Sequence, residues 1–108
     1  MNPPDAPTQR RRTPRYAFVG GIAELTHTSG QRLMADTAQL SRFGCFVRTT
    51  TPLPARAAVS LRIIYDGDEF AADSEVVYGL PNKGMGIAFR SIPSGHEQVL
   101  ENWLSQCL

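Results

Sequence analysis

Hydrophobic and polar residues alternate in short runs along most of the chain, a pattern typical of half-buried β-strands. In the run AVSLRIIYD, for example, Val59, Leu61, Ile63 and Tyr65 share one face. Turn-forming sequences such as TSGQ, DG and PNKG separate the runs. The pattern predicts about six strands at short spacing, and therefore a small antiparallel barrel or sandwich. The predicted strands are 16–27, 32–40, 44–50, 58–66, 69–80 and 84–89.

Two of these runs contain features that bear on the details of the sheet. Gly20 and Gly21 interrupt the first run and predict a bulge or sharp bend. In the run 69–80, strict alternation places Tyr78 and Leu80 on the same apolar, core-facing side as Phe70. The glycines of GMG, residues 84–86, do not precede a helix, so we interpret them as close-packing positions and not as a phosphate loop.

The hydrophobic period changes from strand-like to helical near the end of the sequence. Pro93 and Ser94 are predicted to start a helix, with Ser94 and Glu97 forming a capping box. An apolar stripe follows at helical spacing and is expected to cover an open mouth or edge of the barrel. The stripe consists of Val99, Leu100, Trp103, Leu104 and Cys107.

Length and composition indicate one domain of an ordinary globular type. The chain has 108 residues, of which 42% are hydrophobic and 19% charged. We expect residues 1–9 to form a flexible tail and residues 10–108 a single domain. No apolar run reaches the roughly 18 residues of a membrane helix or resembles a signal peptide, which predicts a cytoplasmic protein without membrane insertion. Cys45 and Cys107 lack metal-ligand spacing and are expected to be buried thiols in a reducing compartment.

The sequence contains no arrangement typical of an enzyme or a metal centre. His27 and His96 have no nucleophile–base motif around them and are expected to be surface residues. Asp66, Asp68 and Glu69 form an acidic hairpin tip, but they lack the ligand order of a calcium loop. We therefore expect neither catalysis nor a cofactor or metal.

Four arginines near the start of the chain carry most of the candidate binding chemistry. Arg10, Arg11, Arg12 and Arg15 lie together in a protein whose net charge is only +1. Guanidinium groups form bidentate bonds to phosphate and to the guanine edge, and their flat faces stack on bases. The cluster therefore indicates either an anionic partner or simply a solubilising basic tail.

A second segment, QLSRFGCFV, favours the first alternative because it completes a family pattern. Arg11-x-x-x-Arg15 before the first strand, followed by Ser41-x-x-Gly44 between two strands, resembles the RxxxR and (D/N)xSxxG motifs of PilZ domains. GMGIAF also resembles the last barrel strand of that family. The resemblance covers residue 10 to about residue 107. It implies an all-β fold, a six-stranded antiparallel β-barrel with a C-terminal α-helix, that binds bacterial cyclic di-GMP.

The resemblance also implies roles for individual residues. Arg11 and Arg15 would anchor the ligand, Ser41 would supply a hydroxyl contact, and Gly44 would permit the turn. Arg10 precedes the first motif, and in the family such an additional arginine tends to accompany a stacked ligand dimer.

Gln39 departs from the family pattern, because Asp or Asn usually stands at that position. An Asp carboxylate accepts two bonds from the guanine edge, whereas Gln is neutral and one methylene longer. Losing a charge-assisted bond costs roughly 1.5–3 kcal/mol. The substitution leaves open either weakened ligand binding or its loss.

Three functions are therefore compared. The first is a cyclic di-GMP receptor module for second-messenger signalling, which would also require a downstream protein partner. The second is a degenerate PilZ-like interaction module, for example in pilus or motility assembly, that does not bind the nucleotide. The third, a barrel that binds single-stranded nucleic acid, needs exposed aromatic residues. We disfavour it, and expect no nucleic-acid polymer as partner, because the aromatic residues fall mostly on apolar faces. Those residues are Phe18, Tyr65, Phe70, Tyr78 and Phe89.

Overall fold

The computed structural model describes residues 14–107 and contains seven strands and one helix. The elements are β1 (Tyr16–Ala17), β2 (Ile22–His27), β3 (Arg32–Leu40), β4 (Gly44–Arg48), β5 (Ala58–Tyr65), β6 (Asp68–Leu80), β7 (Gly84–Ser91) and α1 (His96–Gln106).

Six of the strands form a closed antiparallel barrel, which confirms the predicted fold. The hydrogen-bonded order is β3, β2, β5, β6, β7 and β4, and β4 pairs again with β3 to close the ring. Strand β1 lies outside this ring and pairs only with the last two residues of β3. Alternating side chains of the six strands fill the interior, so that the core is continuous from one hairpin to the next.

The predicted bend at the paired glycines separates β1 from β2. Both strands pair with β3, and Phe18 and Gly21 still form backbone hydrogen bonds with Ala38 and Thr37, so the bulge consists of residues 19 and 20. Gly20 has a φ of 96°, a conformation that favours glycine, and a Cβ on Gly21 would clash with the ring of Phe18. The bulge therefore lets Phe18 turn into the core, where it is 4% exposed.

Helix α1 covers one end of the barrel with the predicted apolar stripe. Trp103 is 2% exposed and lies against three aromatic rings, with centroid distances of 5.5 Å to Phe18, 5.6 Å to Tyr65 and 6.4 Å to Phe70. Burying one tryptophan and its neighbouring leucines contributes several kcal/mol, on the order of 1.5–3 kcal/mol for each large side chain. This aromatic cluster therefore attaches the helix to the sheet.

The predicted capping box is wrong. The helix begins at His96, its N-cap is Gly95 with a φ of 92°, and no side chain caps the first turn. Ser94 thus lies one residue before the capping position, and its hydroxyl does not cap the helix.

His96 fixes the start of the helix instead. Its Nδ1 accepts a hydrogen bond of 3.0 Å from the backbone N–H of Ala71 in β6. This N–H belongs to the part of β6 that precedes its pairing with β7, so the imidazole replaces a missing strand partner. His96 is thus half-buried and structural, whereas sequence analysis expected a surface residue.

No helix among residues 14–107 has the length and apolarity needed to cross a membrane.

We predict that His96→Ala lowers the free energy of unfolding by about 1–3 kcal/mol, because the Ala71 N–H loses its acceptor. Urea denaturation followed by circular dichroism would measure the change. His27→Ala is the matched control: its Nδ1 contacts only exposed groups of Ser29, the hydroxyl at 2.8 Å and the backbone N–H at 3.3 Å, and we expect a change within about 0.5 kcal/mol. Equal losses in the two variants would contradict the role assigned to His96.

Candidate functional site

An open groove with a volume of about 200 Å³ lies on the outer face of the barrel. Its walls come from the segment before β1, from β3 and β4, from the C-terminal part of β6 and from the middle of β7. The residues that matter for its chemistry are Arg15, Gln39, Ser41, Phe43, Phe46 and Tyr78.

A bulge in β3 brings Gln39 to the groove. Leu33, Ala35 and Thr37 face inward, so strict alternation would also turn residue 39 into the core. The register against β4 shifts between Thr37 and Gln39, and one extra residue, Ala38, is accommodated there. Gln39 consequently lies on the outer face, while Leu40 becomes fully buried. The Gln39 amide lines the groove and makes no side-chain hydrogen bond to any of residues 14–107.

A second bulge, in β6, brings Tyr78 to the same face and corrects the expectation that Tyr78 and Leu80 face the core. The register against β7 shifts between Val76 and Tyr78, so Val77 is the extra residue. Beyond it the inward and outward faces exchange. Tyr78 is 37% exposed and Leu80 is 44% exposed, although Val76 is fully buried. The remaining aromatic residues of the predicted core, namely Phe18, Tyr65, Phe70 and Phe89, are buried or half-buried.

The two bulges align the outward side chains of four strands in one row. Gln39 pairs with Phe46, Phe46 with Gly86, and Gly86 with Tyr78. The Phe46 and Tyr78 rings are stacked, with centroids 6.2 Å apart and an angle of 29° between their planes. A Cβ on Gly86 would collide with the Tyr78 ring, and one on Gly84 with the Phe46 ring. The two rings thus lie on a glycine floor, which confirms close packing as the reason for the glycines of GMG.

The turn between β3 and β4 is held by the side chain of Ser41. Its hydroxyl accepts hydrogen bonds of 3.2 Å from the N–H groups of Phe43 and Gly44, and donates one of 3.2 Å to the Gly44 carbonyl. The Ser41 N–H donates to the same carbonyl at 2.9 Å. The serine therefore organises the turn and leaves Phe43, which is 63% exposed, at the lip of the groove.

Glycine is needed at position 44 because of close packing, and not because the turn requires a positive φ. It is the first residue of β4 and is absent from the residues with positive φ. A Cβ there would run into the carbonyl oxygen of Ile87 on the adjacent strand β7. The glycine accordingly permits β4 and β7 to approach each other at the floor of the groove.

The electrostatics of the groove favour an anion. Arg15 is the only charged side chain among the described residues that line it, and it makes no ion pair with any of residues 14–107. Arg10 and Arg11, the other two arginines predicted for the site, lie outside the described residues. Within the described part of the chain, no three His, Cys, Asp or Glu side chains come together to hold a metal ion.

Cys45 lies at the floor of the groove, where its thiol is shielded from solvent. Cys45 is buried, and burial raises the pKa of its thiol from about 9.0 to about 12. Cys107 is free and only half-buried, which corrects the expectation of two buried thiols. A neutral, enclosed Cys45 supports packing beneath the site and supplies no nucleophile.

Comparison with known proteins identifies the family. The model of the PilZ domain matches residues 9–106. The chain belongs to the PilZ family. PilZ domains are binding modules, and three of the solved structures that resemble this chain are complexes with c-di-GMP. No match is found among curated proteins.

The structural neighbours confirm the fold. The MrkH–c-di-GMP complex of K. pneumonia has a TM-score of 0.77 and 20% identity, over 91% of this chain and 51% of MrkH. The PilZ domain of YcgR from Escherichia coli with c-di-GMP has a TM-score of 0.74 and 14% identity, over 92% of each chain. The PilZ domain of CeSA from a cellulose-synthesizing bacterium has a TM-score of 0.67 and 18% identity, over 86% of this chain and 97% of the other. This chain thus spans about half the length of MrkH.

Sequence reasoning missed the aromatic side of the groove. Phe43, Phe46 and Tyr78 were not among the predicted site residues. One usable signal was present: Gly84 and Gly86 alternate with large residues on β7, and outward glycines in a strand commonly sit beneath aromatic rings of neighbouring strands.

We predict that native Cys45 resists alkylation by iodoacetamide at pH 8 and reacts only after denaturation, as peptide mass spectrometry would show. The stabilising effect of its neutral burial is complete below pH 9.0 and is lost as the pH rises toward the folded-state pKa of about 12. Modification of native Cys45 as fast as that of a free thiol would contradict this placement.

Proposed function

We propose that this protein is a receptor module that binds cyclic di-GMP in the groove, beneath its arginine-rich N-terminal segment. The observation that carries the proposal is the combination, in a single groove, of Arg15, two aromatic rings and the Gln39 amide, with neither Arg15 nor Gln39 paired to another side chain among residues 14–107. A cyclic dinucleotide presents the matching chemistry, namely two phosphates, two purine faces and the polar edges of guanine.

Arg15 supplies the contact to phosphate or to a guanine edge. A guanidinium can bond both oxygens of a phosphate, or the O6 and N7 atoms of guanine. Arg15 precedes β1 directly, so the segment with Arg10 and Arg11 continues from the groove wall. We propose Arg11 and Arg15 as the main anchors and Arg10 as an additional contact.

The stacked rings of Phe46 and Tyr78 supply an apolar surface for a base. Tyr78 is partly exposed and its ring is supported from below by Gly86, so it presents a fixed face. Stacking of a base on an aromatic side chain is worth about 1–3 kcal/mol. Exposed Phe43 also lines the groove, where it can cover the ligand from the side.

The Ser41–Gly44 turn supplies shape and one hydroxyl. Its two backbone N–H groups already donate to the Ser41 oxygen, and the Gly44 carbonyl already accepts from the Ser41 N–H. The Ser41 hydroxyl can therefore rotate and donate its hydrogen bond to a ligand, because the Gly44 carbonyl keeps its hydrogen bond from the Ser41 N–H. Ser41 would bind the ligand in this way while continuing to hold the turn.

The structural neighbours support the choice of ligand. The MrkH and YcgR structures contain c-di-GMP on folds similar to this one. Binding without catalysis fits a receptor that orders its N-terminal segment over the ligand and thereby changes its surface for a downstream protein. Gln39 favours the alternative, a PilZ interaction module without nucleotide, because it stands where Asp or Asn usually contacts guanine.

We predict that titration calorimetry detects binding of cyclic di-GMP, and none of comparable strength for GTP or cyclic AMP. Arg15→Ala and Tyr78→Ala should each weaken binding roughly tenfold or more, through loss of a charge-assisted bond and of a stacking surface. Arg32→Ala is the matched control, since Arg32 is an exposed arginine of β3 whose partner is Glu24, at 3.7 Å, outside the groove. We expect its affinity to equal that of the wild type.

Flat titrations with a correctly folded protein would refute the receptor function and favour the interaction module. A loss in Arg32→Ala equal to that in Arg15→Ala would place the ligand elsewhere on the surface. The thermal stability of each variant without ligand serves as the control for folding.

We further predict that Gln39→Asp raises the affinity for cyclic di-GMP by roughly tenfold, because a carboxylate accepts two bonds from the guanine edge. The exposed position of Gln39 leaves room for the change without disturbing the core. Unchanged affinity, in a protein that still responds to Arg15→Ala, would show that residue 39 does not contact the base.

A further inference from the structure

Helix α1 is connected to the turn that forms one wall of the groove. Arg42 lies inside the Ser41–Gly44 turn, and its guanidinium donates two hydrogen bonds to the carboxylate of Glu101 in α1. Arg42 Nη1 lies 2.6 Å from Glu101 Oε2, and Arg42 Nη2 lies 3.3 Å from Oε1. This bidentate geometry fixes the direction of the turn as well as its distance from the helix.

The same helix is connected to the segment that carries the arginines. Phe18 follows β1 directly and packs against Trp103 of α1, with ring centroids 5.5 Å apart. Arg15 precedes β1, so only the two residues of that strand separate it from this contact. Both segments proposed to bind the ligand are therefore attached to one helix at the end of the barrel.

Neither Arg42 nor Glu101 lines the groove. The ion pair can influence a ligand only through the turn, by holding Ser41 and Phe43 in their places in the lining of the groove. We infer that Glu101 is a positioning residue, which acts through Arg42 to set the ligand-binding turn and couples ligand binding to the docking of helix α1. The inference rests on the proposed function.

Coupling of this kind is reciprocal. If the docked helix favours the binding-competent turn, the bound ligand must favour the docked helix by the same factor. Ligand should therefore slow amide hydrogen exchange in α1, although no residue of α1 lines the groove. A downstream protein that binds the exposed side of α1 would therefore distinguish the ligand-bound from the ligand-free module.

The sign of one substitution distinguishes positioning from simple electrostatics. Glu101→Ala removes a negative charge, which by long-range attraction alone would strengthen binding of an anionic ligand. Loss of the positioning contact predicts the opposite, an affinity for cyclic di-GMP about two- to fivefold lower in calorimetry. Alanine is also the best helix former, so the substitution does not weaken α1 itself.

A closely matched ion pair provides the control. Glu69 is 43% exposed, as is Glu101, and its carboxylate accepts two hydrogen bonds from Arg62, at 2.7 Å and 3.0 Å. That pair lies on β5 and β6, outside the groove. Glu69→Ala should leave the affinity unchanged or slightly higher.

The background of Arg42→Ala gives the second comparison. With the guanidinium absent, Glu101→Ala has no contact left to remove and should no longer weaken binding. In hydrogen-exchange mass spectrometry, ligand should protect α1 in the wild type and in Glu69→Ala, and protect it less in Glu101→Ala.

Each outcome decides the matter. Wild-type affinity and unchanged protection in Glu101→Ala, in a protein that binds cyclic di-GMP, would overturn the positioning role and leave the proposed function intact. Further weakening by Glu101→Ala in the Arg42→Ala background would also overturn it, since the effect would not pass through Arg42. Absence of binding by the wild type would overturn the proposed function and this inference with it.

Discussion

Closure of the sheet is the constraint on which the rest of this structure depends. Six strands that return to their starting point leave no free edge in the ring, so every strand must keep its register with two neighbours. A small closed barrel also has an interior of fixed size, which the apolar residues of all six strands fill. A strand of the barrel cannot shift its whole register, because its inward side chains would no longer fit the core. A local change in which residues face outward therefore needs an additional residue, that is, a bulge.

The groove is the product of two such additional residues. Ala38 and Val77 lie in different strands, and each reverses the alternation just before a residue of the groove. As a result, Gln39 and Tyr78 face outward. Bulges often occur where a sheet presents functional residues. Here they place Gln39 and Tyr78 at the two ends of a single cross-strand row, and the glycines of β7 let the rings between them lie close to the sheet.

The strands, the hairpin at Asp66 and Gly67, and the apolar stripe of the helix could be predicted because each depends on local pattern. The side of the sheet that Tyr78 occupies could not, because nothing in EVVYGL marks Val77 as the extra residue. The helix start was mispredicted for a related reason. Ser94 and Glu97 have the spacing of a capping box, but the actual partner of this helix is an amide in β6 that is distant in sequence. Of the candidate site, the motif residues could be found by resemblance, whereas the aromatic wall follows only from the register.

The contact between Trp103 and Phe18 has a practical consequence. Trp103 is the only tryptophan of the chain, so all indole emission comes from one position, at the junction of the helix with the segment that carries the arginines. Its ring is almost completely shielded from water. Any event that loosens or tightens this junction alters the polarity around the indole, and with it the wavelength of the emitted light. The fluorescence of the unlabelled protein thus reports whether Phe18 and helix α1 remain packed against each other.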